Sequence, residues 1–339
     1  MSIKERKKQM RSIVAQQRQA AQAAHQNEGS ALTANDITIY LVSPLTFRAY
    51  REHFEHADRI ERLLVEQHRH RYDMFVNLKN WRSENIGQYE EADPQTGQIV
   101  GYEWDAFDRD NSVYSIAVGP DFEYHGSTRA TSTMLDTMLD HPEFRKLSFY
   151  PKTKPIKDYE VFEGTRIISP NSKLYERAGK VITPVKGGIG HPLMYSHLRL
   201  GLDLKLKGSM GTMPSILQAK MYGKMGVPYR ALGDEVLITD EDGHVLDEGD
   251  PTQAYFYAIT PEINERVAAT IARRIESITG APYCPKISYG VPDNIKPSLL
   301  QHMKDNFHVD HSHRLETDLS NLVLHESKPK SHNIQERRL

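Results

Sequence analysis

Four short groups of residues able to do chemistry follow one another along the chain. They are Arg71, Phe75 and Trp81; then Glu103, Asp105 and Asp108; then Arg129; then Glu163 and Arg166. A guanidinium binds a carboxylate with two prongs, carboxylates attract cations, and an aromatic face suits a cation or a flat ring. Together these side chains favour a site for a ligand that carries both a cation and a carboxylate. The competing interpretation is a network of surface ion pairs around a buried tryptophan.

The order and spacing of these groups resemble those of the LuxI-type acyl-homoserine-lactone synthases. The matching patterns are Arg71-x3-Phe75-x5-Trp81, Glu103-x-Asp105-x2-Asp108, Arg129 with the later Met138-Leu139, and Glu163-x2-Arg166. Each pattern alone is weak, whereas their shared order is much more specific. The resemblance covers approximately residues 45–259.

The resemblance implies an acyltransferase that makes a quorum-sensing signal, or autoinducer. Such an enzyme joins an acyl chain to S-adenosylmethionine, closes a lactone and releases methylthioadenosine. S-adenosylmethionine is then a substrate, and no cofactor is needed. By the same resemblance, the residues that bind it are Arg71, Phe75, Trp81, Glu103, Asp105, Asp108, Arg129 and Arg166. The substrate amine must lose a proton before it attacks, and Glu163 is the candidate base. A structural salt bridge to Arg166 is the alternative role for Glu163.

The implied fold is α/β (α+β), a GNAT-like mixed and twisted sheet flanked by helices, with N- and C-terminal extensions. A V-shaped cleft would take the acyl-phosphopantetheine arm, and backbone N–H groups near Val118 and Gly119 would stabilise the oxyanion. Acetyltransferases of this fold bind coenzyme A through a Gln/Arg-x-x-Gly-x-Gly/Ala loop. The Gly-rich stretch 187–190 lacks the leading Gln or Arg and is interpreted as a flexible loop. Acyl carrier protein is therefore the expected acyl donor, ahead of coenzyme A.

Two other functions remain open at this stage. A GNAT-type N-acyltransferase would use acyl-coenzyme A and form no lactone, so it would release no methylthioadenosine. A non-enzymatic binding protein would instead recruit a partner through its basic first residues and its His-rich end. Removal of both termini would abolish that function and spare most of an enzyme's turnover.

Composition excludes several classes of protein. A net charge of -2 gives no general case for nucleic-acid binding. No apolar stretch is long enough for a membrane span or a secretory signal, so we expect a cytoplasmic protein. Cys284 is the only cysteine, which rules out an internal disulfide. The irregular spacing of the histidines near the C-terminus argues against a metal site. They are His302, His308, His311 and His313.

The chain divides into a basic, mobile arm (1–36), a synthase-like domain (37–261) and a C-terminal helix with a polar tail (262–339). Strands are predicted at 37–42, 122–132, 159–168, 236–238 and 254–259, and helices at 45–68, 214–225 and 262–278. Residues 101–107 and 113–118 are predicted to pair as a hairpin, with 88–101 an inserted polar loop. The stretch 171–207 is interpreted as Gly-rich and expanded. A strand end near Gly164 is expected to bring Arg166 to the same side as Glu163.

Overall fold

Eight strands of the chain form one mixed sheet. The computed structural model describes residues 32–78, 86–92, 99–105, 107–140, 159–169, 185–214, 218–237 and 251–310. The ten strands of the described residues, eight in this sheet and two in a separate pair, are β1 (Thr38–Val42), β2 (Ile86–Ala92), β3 (Ile99–Asp105), β4 (Val113–Val118), β5 (Tyr124–Ser132), β6 (Val161–Ile168), β7 (Gly208–Pro214), β8 (Tyr229–Ala231), β9 (Thr252–Ala258) and β10 (Lys286–Ser288). The large sheet has the order β10-β1-β4-β5-β6-β7-β9-β8, and β2 and β3 form a separate pair.

Helices cover the two faces of the large sheet. They are α1 (Pro44–Tyr50), α2 (Ala57–Arg71), α3 (Gly190–Asp203), α4 (Pro261–Thr279) and α5 (Lys296–Asn306). On one face α3 packs against the central strands and against α4. On the other face lie α2 and the β2–β3 pair, and α2 contacts β3 as well as the central strands. The predicted mixed sheet flanked by helices is confirmed.

Helix α4 shows how the local sequence sets an element. Thr260 caps it by accepting a hydrogen bond from the N–H of Ile263, and Pro261 starts the first turn. Val267, Ile271 and Ile275 recur at every fourth position and are buried. Gly280 ends the helix in the left-handed conformation. The helix predicted at 262–278 is confirmed.

The helix predicted at 45–68 is interrupted. Helix α1 ends at Tyr50, a 3-10 turn follows, and α2 begins at Ala57 after His56 adopts a positive φ of 60°. The break lets Phe54 turn inward onto Phe47, with ring centroids 4.9 Å apart. Burial of this aromatic pair outweighs the continuous helical spacing of the sequence.

The hairpin predicted between 101–107 and 113–118 is wrong. Strand β3 pairs with β2, and β4 pairs with β1 and β5. The stretch 88–101, expected as a polar loop, supplies most of the β2–β3 pair, with 93–98 outside the described residues. Asp108 and Asn111 had the composition of a solvated turn, yet both are buried. Their side chains bind distant parts of the protein, Arg71 and Phe307 respectively. The segment between β3 and β4 therefore connects the small sheet to the large one.

Helix α3 lies inside the stretch that we expected to be expanded and Gly-rich. Nearly every residue from Pro192 to Gly201 is buried, so the sequence shows little of the one-sided periodicity that marks a surface helix. Gly201 has no side chain where a Cβ would lie 2.4 Å from Ile259. That glycine therefore permits close packing of the helix instead of indicating a loop.

The last described residues add two elements that the sequence did not predict. Strand β10 pairs in parallel with β1 at the edge of the sheet, and α5 packs against α1. Leu299, Met303 and Phe307 are buried in the main core. Residues 32–36 of the predicted arm are also ordered, since Thr33 bridges to Lys186. Residues 1–31 and 311–339 lie outside the described residues.

Candidate active site

Arg71 lies at the end of α2, where the chain changes from α to π geometry over Tyr72–Leu78. Its Nε donates to Glu103 Oε2 at 2.5 Å, and its two terminal nitrogens donate to both carboxylate oxygens of Asp108 at 2.7 Å. Only 1% of the side chain is exposed. The donors of Arg71 are thus occupied by protein carboxylates, which makes it a holder of the site's acidic residues.

Asp105 and Asp108 are held by a compact loop after β3. The N–H of Asp105 donates to Asp108 Oδ2 at 2.8 Å, and the N–H of Phe107 donates to Asp105 Oδ1 at 2.9 Å. Arg129 on β5 then bridges the two carboxylates, with Nη1 2.6 Å from an oxygen of each. This loop therefore presents two fixed carboxylates to one guanidinium.

Arg166 reaches the same cluster because of a bulge in β6. From Ser127 to Arg129 along β5, the register partner moves from Ile168 to Thr165, so a step of two residues matches a step of three. Arg166 itself has a positive φ of 57°. The turn expected near Gly164 is therefore wrong, since β6 continues to Ile168 and the extra residue is accommodated at Arg166. Arg166 nevertheless reaches the sheet face of Glu163, as expected, because it binds Asp105 together with Arg129.

The guanidinium of Arg166 lies between carboxylates and an aromatic ring. Its Nη2 is 2.6 Å from Asp105 Oδ2 and 3.4 Å from Glu103 Oε1. Its Cζ lies 4.8 Å from the centre of the Phe75 ring, a cation–π contact. Arg166 is 6% exposed, against 1% for Arg71 and Arg129. Of the three guanidiniums, it has the most surface available to a ligand.

Mutual pairing favours the charged forms of Arg71, Asp105, Asp108 and Arg129. Burial alone would raise the pKa of Asp108, but the charges of Arg129 and Arg71 lower it well below its ordinary value. Burial likewise opposes ionisation of Arg71, and Asp108 and Glu103 raise the pKa of its guanidinium well above normal. Burial would also raise the pKa of Asp105, but the charge of Arg129 lowers it below its ordinary value. A buried cluster of fixed charges results.

Glu163 lies on the sheet face that carries Arg129. It is fully buried and is paired across the sheet with Thr131, whereas Thr165, two residues on, receives a hydrogen bond from Arg129 Nε at 3.2 Å. Alternation along the strands places these four side chains together. Glu103, Asp105 and Asp108 thus face the guanidiniums of Arg71, Arg129 and Arg166, and Glu163 lies beside them on the same sheet face.

The pairing of β6 with β7 ends beside Glu163. The two strands run parallel, and their register ends at the pair Glu163↔Met210 although both strands continue. The backbones are still close one residue further on, because a Cβ at Gly211 would lie 2.6 Å from the Gly164 carbonyl oxygen. Val118 and Gly119, where the oxyanion site was expected, are not in a cleft: Val118 pairs with both neighbouring strands, and the Gly119 N–H donates to Glu123 O. That expectation is wrong.

The structure brings together eight of the nine predicted site residues, and Trp81 lies outside the described residues. It also adds residues that sequence reasoning missed. Tyr114 donates to Asp108 Oδ1 at 2.8 Å, and His68 Nδ1 lies 2.8 Å from the carbonyl oxygen of Glu103. His68 precedes Arg71 by three positions, so helical spacing could have indicated that both face β3. Nothing in the sequence around Tyr114 indicated its contact.

Comparison of the whole chain with solved structures identifies its fold. The chain is similar to a CoA-dependent acyl-homoserine lactone synthase, BjaI, solved with SAM and isopentyl-CoA, at 17% identity. The match covers 79% of this chain and 98% of BjaI, with a TM-score of 0.50. The chain has the fold of an acyl-homoserine lactone synthase. The family resemblance seen in the sequence is therefore confirmed at the level of the fold.

Two further solved synthases match less closely. The CoA-dependent acyl-homoserine lactone synthase MesI is 21% identical, over 72% of this chain and 97% of that one, with a TM-score of 0.46. The AHL synthase LasI is 15% identical, over 69% and 94%, with a TM-score of 0.42. Neither a protein-family model nor a curated protein matches the sequence.

Two other searches of the structure bear on ligands and membranes. Within the described ranges, no group of three or more His, Cys, Asp or Glu side chains is arranged to hold a metal ion. No helix in the part of the chain that the structure describes combines the length and apolar character needed to cross a bilayer.

Proposed function

We propose that this protein is an acyl-homoserine-lactone synthase that joins an acyl thioester to S-adenosylmethionine. The observation that carries the proposal is the convergence of Arg71, Arg129, Arg166 and their carboxylates on one sheet face, beside Glu163, where the pairing of β6 with β7 ends. S-adenosylmethionine carries a sulfonium and an ammonium against one carboxylate. Its ammonium and sulfonium would be attracted by carboxylates of the cluster, and its carboxylate by a guanidinium.

The geometry distinguishes roles within the substrate-binding set. Arg71 and Arg129 hold Asp105 and Asp108, whose charges would attract the ammonium and sulfonium. Arg166, the most exposed of the guanidiniums, would clamp the substrate carboxylate. Phe75 would hold Arg166 in place through its ring face, and Glu103 would complete the acidic set. Trp81 remains the predicted aromatic surface for the adenine or the cation.

Acyl transfer would start at Glu163, which takes a proton from the substrate amine directly or through one water. The amine nitrogen then attacks the thioester carbon, and the carbonyl electron pair moves to oxygen. Backbone N–H groups where the pairing of β6 with β7 ends, and not those of Val118 and Gly119, would stabilise this oxyanion. Collapse of the intermediate forms the amide and expels the thiolate, which leaves as the thiol after protonation.

Lactone closure follows on the same substrate. One carboxylate oxygen of the methionine-derived part attacks its own γ-carbon, and the carbon–sulfur bond breaks with its electron pair going to the sulfonium. Methylthioadenosine leaves as a neutral thioether. Enforced proximity supplies much of the rate of such a displacement. Neither step requires a metal or a redox cofactor.

One buried polar atom supports a ligand beside Glu163. Thr131 Oγ1, across the strand pair from Glu163, is buried and has no hydrogen-bond partner among the described residues. A buried hydroxyl without a partner is costly. The substrate amine, or a water that relays its proton, would satisfy this hydroxyl.

The acyl donor we propose is acyl carrier protein, because the sequence lacks the pyrophosphate-binding loop described above. Coenzyme A is the second candidate, favoured by the fold shared with BjaI, which is described as CoA-dependent. We place the reaction in the cytoplasm, where S-adenosylmethionine and acyl thioesters occur. Quorum sensing would be the biological context.

Incubation of the purified full chain with S-adenosylmethionine and an acyl thioester tests the proposal. We expect release of methylthioadenosine and a product whose mass spectrum contains the homoserine-lactone fragment. Amide product without methylthioadenosine would instead identify an N-acyltransferase, and no turnover with any donor would favour a binding protein. Parallel assays with the carrier-bound and the coenzyme A thioester identify the donor.

A further inference from the structure

The last described residues of the chain bind the loop that carries the acidic residues of the site. Phe307–Asp310, here called the C-terminal clamp, follows α5 directly. Asn111 Nδ2 donates to the carbonyl oxygens of Asn306, Phe307 and Val309 at 3.1, 2.7 and 2.8 Å. The final carbonyls of a helix have no partner within the helix, so this amide caps α5 from another part of the chain.

The clamp also contacts a second element of the site. His308 Nδ1 lies 2.6 Å from the hydroxyl oxygen of Ser132, the residue after Thr131 on β5. Arg109 Nε is 3.9 Å from Asp310 Oδ1. The clamp thus joins the loop after β3 to the end of β5, and both lie within a few residues of the charged cluster.

Two neighbouring residues after Asp108, Asp110 and Asn111, anchor the loop to other parts of the chain. Asp108 points to Arg71 and Arg129, whereas the carbonyl oxygen of Asp110 accepts from the Leu45 N–H at 2.8 Å and from the Ser43 hydroxyl at 3.0 Å. Asn111, only three residues after Asp108, is 4% exposed and is bound by the clamp. With α1 holding one residue and α5 the next, the loop has little freedom to shift.

From these contacts we infer that Asn111 is a positioning residue of the substrate site. By capping α5 it holds residues 107–112, and therefore Asp108 and the Asp105 bound to it, where a cationic substrate meets them. The C-terminal segment, which lies outside the family resemblance, is on this view a working part of the site. The inference rests on the proposed function for the identity of the substrate.

The test compares variants of the full chain. Asn111→Ala removes the amide. Asn111→Asp keeps the shape of the side chain but replaces the donating NH2 group by an oxygen, which cannot donate to the carbonyl oxygens. Asn306→Ala is the matched control, because among the described residues its side chain binds the helix carbonyl of His302. We expect both Asn111 variants to raise the KM and the calorimetric Kd for S-adenosylmethionine about tenfold or more, because a small displacement of binding groups is costly. The KM for the acyl donor should stay within about twofold of wild type.

Hydrogen–deuterium exchange provides a readout that does not depend on activity. We expect faster exchange over residues 105–112 in both Asn111 variants and unchanged exchange there in Asn306→Ala. If Asn111→Ala does not fold, Asn111→Ser, which keeps one short donor, takes its place. Lower thermal stability with an unchanged KM for S-adenosylmethionine and unchanged loop exchange would reduce Asn111 to a structural role and overturn the inference.

The wild-type result separates the two proposals. Wild-type turnover with no selective effect of the Asn111 variants contradicts this inference alone. A wild-type protein that neither binds S-adenosylmethionine nor releases methylthioadenosine contradicts the proposed function, and with it the substrate role of Asn111. Loop exchange then still shows whether Asn111 holds residues 107–112.

Discussion

The guanidinium of Arg71 binds both carboxylate oxygens of Asp108, 2.7 Å from each, across 37 residues of sequence. The pair joins the end of α2 to the loop between the two sheets. Both side chains are about 1% exposed, so neither charge is solvated by water. A buried pair of this kind is costly to break, because the remaining partner stays charged and unmatched.

Arg71→Met should therefore lower the free energy of unfolding by about 3–5 kcal/mol. Urea denaturation of the purified variant measures this change. The matched control is Arg51→Met, since Arg51 pairs with Asp58 and Glu61 at the surface and should contribute little. Similar small losses for both variants would contradict a central structural role for Arg71.

Glu163→Gln should reduce kcat by about 100-fold or more, with little change in the KM for S-adenosylmethionine. The amide preserves the shape of the side chain but cannot accept the amine proton. Steady-state assays of methylthioadenosine release measure both constants. Glu160→Gln, at a nearby half-buried residue paired with Lys207, should behave as wild type. Near-normal kcat for Glu163→Gln across the pH range would place the base elsewhere and leave Glu163 a structural residue.

Arg166→Lys should chiefly raise the KM for S-adenosylmethionine, by about tenfold, because lysine keeps the charge but loses the two-pronged geometry. The effect on kcat should be smaller. Arg59→Lys is a matched control, since Arg59 also lies over an aromatic ring, 5.2 Å from the centre of Phe122, away from the cluster. An equal rise in KM for the acyl donor would show a general disturbance of the site instead of a lost carboxylate clamp.

Stability should fall as the pH drops from about 6.5 to about 4. Burial lowers the pKa of His197 to about 4, so the unfolded chain, with a pKa near 6.5, binds the proton more readily than the folded protein. The contribution of His197 is complete above about pH 6.5 and is lost through this window, at up to about 1.4 kcal/mol for each pH unit. Unfolding free energies measured at several pH values give the slope.

His197→Asn should flatten this dependence, because the variant removes the titrating group. His68, whose pKa burial also lowers to about 4, keeps part of the slope in that variant. The same change at His53, an exposed histidine, should leave the slope as in wild type. A slope unchanged by His197→Asn would contradict the assignment.

Much of the site was predictable because its charged residues follow one another in the order found in the LuxI-type synthases, which indicates that they form one site. Arg71, Asp105, Asp108, Arg129 and Arg166 were expected together and meet within hydrogen-bonding distance. Their mutual pairing was less predictable, because the sequence does not show which guanidinium stays accessible to a ligand. That distinction depends on burial, which arises only when α2 packs across the sheet.

The errors have a common physical cause, since local residue type was overridden by distant contacts. Gly164 is the more permissive residue for a turn, yet the positive φ occurs at Arg166, where ion pairs with Asp105 and Glu103 hold it. Asn111 has the composition of a solvated turn, yet its amide caps a helix almost 200 residues later. No local pattern could have shown either contact.

The parallel pairing of β1 with β10 constrains the order of events during synthesis. Thr38 leaves the ribosome about 250 residues before its partner Lys286. At typical elongation rates of about 5–20 residues per second, β1 waits roughly 10–50 s for its outer neighbour. During that time the nascent sheet has an open edge at β1, which is a template for wrong pairing with other chains. Chaperone protection of the growing chain would therefore matter most until residue 288 has emerged.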